Sequence, residues 1–337
     1  VTGGPQPGQP KRGKDEQFLI ESLTPNFGHF IRVSELLYEG QTEFQKIELF
    51  DSPQFGKALR LDNVFQTSAG DEYFYHEMMV HPALITHPNP ERVLIIGAGD
   101  GGMAEEALKH NTVREVVMVE IDGQVVDFSK KYLGDIHRGA FDDPRMQLVI
   151  GDGYQWVMEA AERGEHFDAV ILDLTDPIGP SRPLYTVEYY AAIARLIGHT
   201  GIHVQHLENP VTRKELFAQL VANVRAVYHH VHPLLQYVPL YGTLWSFCNA
   251  SQTLDPRGMS PVQVESRIRA RGLTDLQVYN GDTHRAAYAL PNFVRTLMDS
   301  DAQPIHLNQI ERFDAITAVS ESTDHLRIIV GGDSPQR

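Results

Sequence analysis

The apolar run Val93 to Ile96 passes straight into the glycine loop "GAGDGG" (97–102), which opens the helix-like stretch "MAEEALKH". An unbroken apolar run of this length, bounded by glycines, reads as a strand buried on both faces. Strand, glycine turn and helix in that order begin a βαβ unit, the building block of a parallel sheet. The pattern then continues. "EVVMVEID" precedes "GQVVDFSKKYL", "MQLVIGDG" precedes "YQWVMEAAERG", "DAVILD" precedes "TVEYYAAIARLI", and "GIHVQH" precedes "RKELFAQLVANVRAVY". This alternation predicts an α/β fold with a doubly wound, mostly parallel sheet, and ligands bound outside the carboxyl ends of its strands.

Upstream the periodicity differs. "EFQKIELFDS" and "KALRLDNVFQT" alternate apolar and polar residues around the turn "SPQFG", as half-buried strands do. The expected organisation is a disordered leader over residues 1–17, an N-terminal β-domain over 18–85, and a Rossmann-like catalytic domain over 86–337. Residues beyond 235 mix strand, loop and helix and are expected to complete that last domain.

The apolar runs are strand-sized, which excludes a membrane span, and the N-terminus lacks the apolar core of a secretory signal. The single cysteine, Cys248, forbids an internal disulfide and suits a reducing cytoplasm. A formal charge of −15 argues against nucleic acid as a partner and favours cations.

Gly97, Gly99 and Gly102 match G-x-G-x-x-G between a strand and a helix, and Glu120 ends the next strand, where an acid binds two ribose hydroxyls. A nucleoside site follows, and it fits a dinucleotide dehydrogenase or an S-adenosyl enzyme equally well. Asp100 separates them. A carboxylate inside the glycine loop repels a pyrophosphate but attracts an ammonium or sulfonium. Asp152 and Gly153 end the third strand, where class I methyltransferase-type folds hold the adenine amine. Each of these acids alone reads equally as a cap of the helix that follows it. Their succession at strand ends favours a ligand. "DAVILDLTDPIGPSRPLYT" then sets Asp173 and Asp176 at the mouth of a buried strand with Arg182 as the only cation. The missing positive charge belongs to a ligand.

These segments resemble the spermidine synthase family of polyamine aminopropyltransferases. The resemblance is carried by "YHEMMVHPALITHPNPERVLIIGAGDGG", "VEIDGQVVDFSKKYL", "FDDPRMQLVIGDG" and "DAVILDLTDPIGPSRPLYT", in order and at family spacing. "TEFQKIELFDSPQFGKALRLDNVFQTS" matches the family's N-terminal β-domain and "YNGDTHRAAYALPNFV" its C-terminal stretch, so the resemblance spans about residues 18–297. It implies transfer of an aminopropyl group from decarboxylated S-adenosylmethionine, a co-substrate, to a polyamine nitrogen, with release of methylthioadenosine and no cofactor. It implies small-molecule partners, polyamine and nucleoside, and a homodimer.

The resemblance also assigns roles. Asp173 becomes the catalytic base and Tyr75 the residue that orients the amine. Asp176 anchors that amine, with His206, Tyr241 and Trp245 completing the acceptor site. Gln45, Gln66, His76, Gly97, Gly99, Asp100, Glu120, Asp152 and Gly153 fall on the donor side. There Glu120 takes the ribose, Asp152 the adenine amine and Asp100 the terminal ammonium. The need for a base is physical: deprotonating an amine of lysine-like basicity at pH 7 costs roughly 4–5 kcal/mol. A donor that kept its carboxylate would meet the negative potential of Asp100 and Asp173, which also disfavours a methyltransferase.

Departures from the family pattern fall on the acceptor side. Leu174 replaces the serine of a D-S-S/T-D-P motif, as in synthases that extend a triamine to spermine or thermospermine. His206 replaces a glutamine, with Gln205 on the opposite strand face. Phe18 stands for a tryptophan, and the loop holding Tyr241 and Trp245 is one residue short. His206 is neutral or cationic near pH 7, and its cationic form would repel an ammonium, so putrescine use is expected to be weak or pH-dependent. Besides a spermidine-extending synthase, a non-catalytic polyamine-binding protein is the alternative from another class. "HHVH" (His229, His230, His232) has no evident acidic partner and is not expected to bind metal. Tyr189, Tyr190 and Cys248 are expected to be packing residues.

Overall fold

The computed structural model describes residues 17–24 and 27–317. The expected leader therefore lies outside the described residues, apart from Gln17. A two-stranded hairpin comes first, β1 (Gln17–Thr24) with β2 (Phe27–Val33). A four-stranded antiparallel meander follows: β3 (Glu35–Gln41), β4 (Lys46–Ser52), β5 (Gly56–Leu61) and β6 (Val64–Ser68). The hairpin leaves Phe18, Phe27 and Phe30 exposed, an apolar concentration of the kind that marks interaction surfaces.

Helix α1 (Tyr73–Thr86) leads into the main sheet and is buried from His76 to Thr86. Its apolar residues are spread round the helix rather than striped, and even His76, Glu77 and His81 are buried, as suits a helix enclosed by the fold. After it come β7 (Arg92–Gly97), α2 (Gly102–Leu108), β8 (Glu115–Glu120), α3 (Gly123–Tyr132), the short α4 (Gly134–His137), β9 (Met146–Ile150), α5 (Gly153–Arg163) and β10 (Ala169–Asp173). Then α6 (Val187–Ile197), β11 (Ile202–Glu208), α7 (Lys214–Arg225), β12 (His230–Val238) and β13 (Thr243–Ser251) complete the sheet. Four further helices follow: α8 (Pro261–Arg271), α9 (Gly281–Ala287), α10 (Asn292–Met298) and α11 (Arg312–Thr317).

The seven strands run in the order β12-β13-β11-β10-β7-β8-β9. All neighbours from β11 to β9 are parallel, and β13 runs antiparallel to both of its neighbours. The apolar strands divide their side chains between two cores. Val93, Ile95 and Ile171 pack on the face covered by α1 and α2, and Leu94, Ile96, Val170 and Leu172 on the opposite face. Strand order reverses between β7 and β10, and a doubly wound sheet opens its ligand crevice at such a reversal. Among the described residues no helix is long and apolar enough to cross a membrane.

Candidate active site

The reversal point brings Gly97 and Asp173 side by side at the ends of their strands. Gly97 has φ +84°, and a Cβ there would lie 2.0 Å from the backbone oxygen of Asp173. Glycine is required twice over, by the left-handed backbone and by the close approach. Ala98 donates its N–H to the same oxygen at 3.3 Å, fastening the glycine loop to the end of β10. The half-buried Asp173 carboxylate accepts a hydrogen bond from the Tyr75 hydroxyl at 2.9 Å. Burial pushes Asp173 up to about 6, with the Asp100 carboxylate adding to the rise and His76 and Tyr75 opposing it. Tyr75 stays protonated, because burial and the Asp173 charge both raise it. Its ring is wedged edge-on between Tyr241 and Phe247, at centroid distances of 5.9 and 5.1 Å.

One turn of α1 supports His76 from below. Its Nδ1 lies 2.8 Å from Glu72 and its Nε2 3.4 Å from Asp100. Burial disfavours charge on this imidazole, but the two carboxylates outweigh it and hold the group well above the usual histidine range. Arg138 closes the row with a 2.7 Å contact to Glu72. A Cβ on Gly102 would fall 2.2 Å from the His76 ring, so this glycine clears room for the imidazole. The N–H of Gly102 donates to Asp100 Oδ1 at 2.9 Å.

Gly99 runs beside Glu120, whose Oε2 would lie 3.3 Å from a Cβ built on that glycine. Burial raises Glu120 to about 7, while the N–H of Asp122 donates to its Oε1 at 2.8 Å. Asp122 caps α3 with one oxygen and with the other accepts from Thr42 (2.7 Å) and Gln45 (3.1 Å). The N-terminal meander is thereby tied to the end of β8. Asp152 is exposed and caps α5 through its Oδ1, as the simpler reading of that acid requires, while Gly153 packs against Ile96. Gln66 meets the site through Tyr241, whose hydroxyl feels the charges of Asp173 and Asp100. Its carbonyl accepts the Tyr241 hydroxyl at 2.7 Å, on the side where Tyr241 packs against Trp245.

The other side of Asp173 is the side of Asp176. Here His206 takes one of the two charge states that its sequence left open. It is buried, with Nε2 2.9 Å from the Leu174 carbonyl and 3.0 Å from the Tyr185 hydroxyl, which donates to the Thr175 carbonyl at 2.7 Å. Burial lowers its basicity, against the pull of Asp176 and of the Leu174 carbonyl. The imidazole is therefore neutral near pH 7 and presents no repelling charge. Arg182 turns away from both acids and pairs with Asp314 at 2.6 Å.

Two acids that the sequence reading passed over complete this side. Glu208 ends β11 with φ +70°, is buried, and has a carboxyl held well above the usual range by burial and by Asp176. Glu21, from β1, accepts the N–H of Phe65 at 2.6 Å and is raised to about 7, chiefly by burial, with Asp176 contributing. Glu208 follows His206 by two residues in "VQHLENP", and an acid that close to the replaced glutamine was a usable signal. Glu72, four residues before His76 on one helix face, was another. Glu21 carried no local signal.

Away from the site, His232 lies 3.3 Å from Asp255, so the histidine cluster does have an acidic neighbour, contrary to expectation. Arg257 already grips that carboxylate at 2.9 and 3.1 Å. Burial lowers His232 to about 4 against the pull of Asp255, with smaller contributions in the same direction from Arg257, His230 and Arg225. The ligand atoms of His230, His232 and Asp255 lie within 4.8 Å of one another, with the Arg257 guanidinium already on the carboxylate. Tyr189 and Tyr190 are wholly buried, and burial pushes the Cys248 thiol up to about 12.

Comparison with known proteins adds the following. A family model described as the spermine/spermidine synthase domain matches residues 72–257, and one described as the spermidine synthase tetramerisation domain matches residues 17–69. The polyamine aminopropyltransferase of Nitrosomonas europaea is 43% identical over 290 residues, covering 86% of this chain and 88% of that protein. That of Sulfurisphaera tokodaii is 39% identical over 284 residues, covering 84% and 93%. A crystal structure of spermidine synthase in complex with the transition state analogue AdoDATO superposes with a TM-score of 0.79 at 33% identity, covering 87% of this chain and 98% of that one. The spermidine synthase of Thermotoga maritima gives a TM-score of 0.78 at 32% identity, covering 87% and 97%.

Proposed function

Since the chain belongs to the spermine/spermidine synthase family, we infer that it is a polyamine aminopropyltransferase, moving aminopropyl from decarboxylated S-adenosylmethionine to a polyamine nitrogen. The observation that carries the assignment of its chemistry is the Tyr75–Asp173 pair at the strand-order reversal. Asp173 has no ion-pair partner among the described residues. In the proposed reaction the neutral acceptor nitrogen attacks the methylene carbon next to the sulfonium. The new C–N bond forms as the C–S bond breaks, its electron pair passes to sulfur, and methylthioadenosine leaves. Asp173 takes the proton that the nitrogen sheds, while Tyr75 fixes the carboxylate and the amine beside it.

On the donor side we assign the ribose to Glu120, which loses its proton when hydroxyl donors reach it, and the adenine amine to the second oxygen of Asp152. Asp100 receives the terminal ammonium. The doubly bridged His76 keeps Asp100 in place and, being positively charged, balances part of the acidity around Asp173. Asp100→Asn is expected to weaken the decarboxylated donor by about 1.5–3 kcal/mol, the usual worth of a charge-assisted hydrogen bond. Its advantage over S-adenosylmethionine should narrow as well. Calorimetry with both nucleosides reads this directly, and an unchanged affinity ratio counts against the assignment.

For the acceptor, Glu21, Asp176 and Glu208 support a substrate with a second cationic nitrogen beyond the reacting one, either a diamine such as putrescine or a triamine. Tyr241 and Trp245 offer the aromatic wall for its methylenes, and Leu174 adds apolar surface where its side chain comes within 3.5 Å of a Cβ built on Gly97. Because His206 is buried and neutral, replacing it by the family's glutamine should change putrescine turnover by the same factor at pH 6 and pH 9. A gain confined to pH 6 would restore a charged imidazole.

A product assay across putrescine, cadaverine, agmatine and spermidine tests the whole reading. Methylthioadenosine release supports it. S-adenosylhomocysteine as product would make the chain a methyltransferase, and binding of polyamine without consumption of donor would make it a binding protein. We further propose a homodimer in the cytoplasm, with the first hairpin and meander as the assembly surface. Light scattering that returns a four-chain mass would replace the dimer by the tetramer named in the family description.

A further inference from the structure

Beyond α10 the chain turns back across the main domain, and residues 303–317 are attached to it at several points. The carbonyl of Gln303 accepts from Gln219 at 2.8 Å. Ile305 is fully buried, gives its N–H to the Asn223 side chain (2.8 Å) and accepts from Val187 (3.1 Å). The Glu188 carboxylate grips His306 and the N–H of Leu307, each at 2.8 Å. All this lies past the matched family domain, which ends at residue 257.

The attachments converge on one place. Asn223, which receives Ile305, also donates to the Tyr185 carbonyl at 2.8 Å. Phe313, fully buried, packs edge-on against the Tyr185 ring with centroids 6.4 Å apart. Asp314 holds Arg182 at 2.6 Å. Tyr185 in turn touches the Thr175 carbonyl and His206, and His206 holds the Leu174 carbonyl. A continuous row of contacts thus runs from the end of the described chain to the two residues between Asp173 and Asp176. The segment also draws off the cation that would otherwise lie nearest those acids in sequence.

We propose that residues 303–317 form a strap that positions the acceptor loop, residues 173–185, with Phe313 and Asp314 as its positioning residues. Neither touches the substrate. They act through Tyr185 and Arg182, and the strap matters for the acceptor while leaving the donor alone. The inference rests on the aminopropyl-transfer reading for its kinetic consequence and on geometry alone for its effect on the loop.

The test takes the full chain with Phe313→Ala and Tyr185→Phe, separately and together. Phe313→Ala should raise the acceptor KM about 10-fold or more, since small displacements of positioning groups are amplified at the reacting atoms. The donor Kd should stay within about two-fold, because residues on Asp100's side of the site are untouched. Peptides covering 174–185 should exchange amide hydrogens faster, while those covering α5 should not change. Tyr185→Phe should reproduce the acceptor defect, and the double variant should be no worse than either single one, as expected for residues acting in one row. Unchanged exchange in the loop, additive effects, or donor and acceptor affinities that fall together would each overturn the strap. Should Phe313→Ala not accumulate as folded protein, Phe313→Leu and Asp314→Asn carry the test under the same criteria. Absence of aminopropyl transfer by the unaltered chain would defeat the proposed function only, because the exchange measurement decides the strap independently.

Discussion

Asp173→Asn should lower turnover at least about 100-fold, the usual scale for loss of a general base, while donor affinity stays close to that of the unaltered chain. Asparagine keeps the size of the side chain and its hydrogen bond from Tyr75 but has no basic oxygen to take the proton. The pH dependence carries the same assignment. Asp173 is raised to about 6, so its basic form is present above that value and is lost as pH falls through it. The acid limb of kcat/KM should therefore sit near pH 6, since that quantity reports the free enzyme. Bound sulfonium and ammonium charges favour the carboxylate, which moves the acid limb of kcat to lower pH than that of kcat/KM. Near-normal turnover in the asparagine variant, or an acid limb that survives in it, would remove Asp173 from the mechanism.

The second large effect is expected from a residue with no chemistry of its own. Gly97→Ala places a methyl group 2.0 Å from the Asp173 carbonyl at a φ of +84°. A backbone atom cannot swing aside as the end of a side chain can, so β7 and β10 must part at the point where the site is built. We expect a stability loss of about 2–4 kcal/mol, combining backbone strain with overpacking. Turnover of the folded fraction should fall about 100-fold through displacement of Asp173. Urea midpoints at constant m measure the first and initial rates on refolded protein the second. Gly134→Ala is the control, since nothing lies within 4 Å of a Cβ there. Equal behaviour of the two variants would mean that Gly97 is not the clamp on Asp173.

Much of the architecture was legible because it is written locally. A strand buried on both faces must be apolar throughout, and a left-handed turn pressed against another backbone must be glycine. Val93–Ile96 followed by Gly97 therefore states its fold in ten residues or so. The acids at the ends of successive strands were legible for the same reason. The antiparallel β13 between β11 and β12 was not, because strand direction leaves no trace in side-chain alternation.

Chemical state was harder to read than position. His206 is a histidine in any reading, yet whether it carries charge depends on burial and on the carbonyl of Leu174, 32 residues away in sequence. Arg182 is the only cation near two acids in the sequence, yet its partner is Asp314, 132 residues further on. Glu21 comes within reach of the Asp176 charge from the first strand, and no pattern around it announces a buried carboxyl.

The sequence by itself determined the order of strands and helices, the glycine loop and the run of acids, because periodicity and covalent adjacency are properties of neighbouring residues. Only the tertiary structure decided which acids are paired, which cap a helix and which are buried. The Tyr75–Asp173 contact spans 98 residues, and the energy of an ionisable group depends on what the folded chain brings within a few ångströms of it and on the water it excludes.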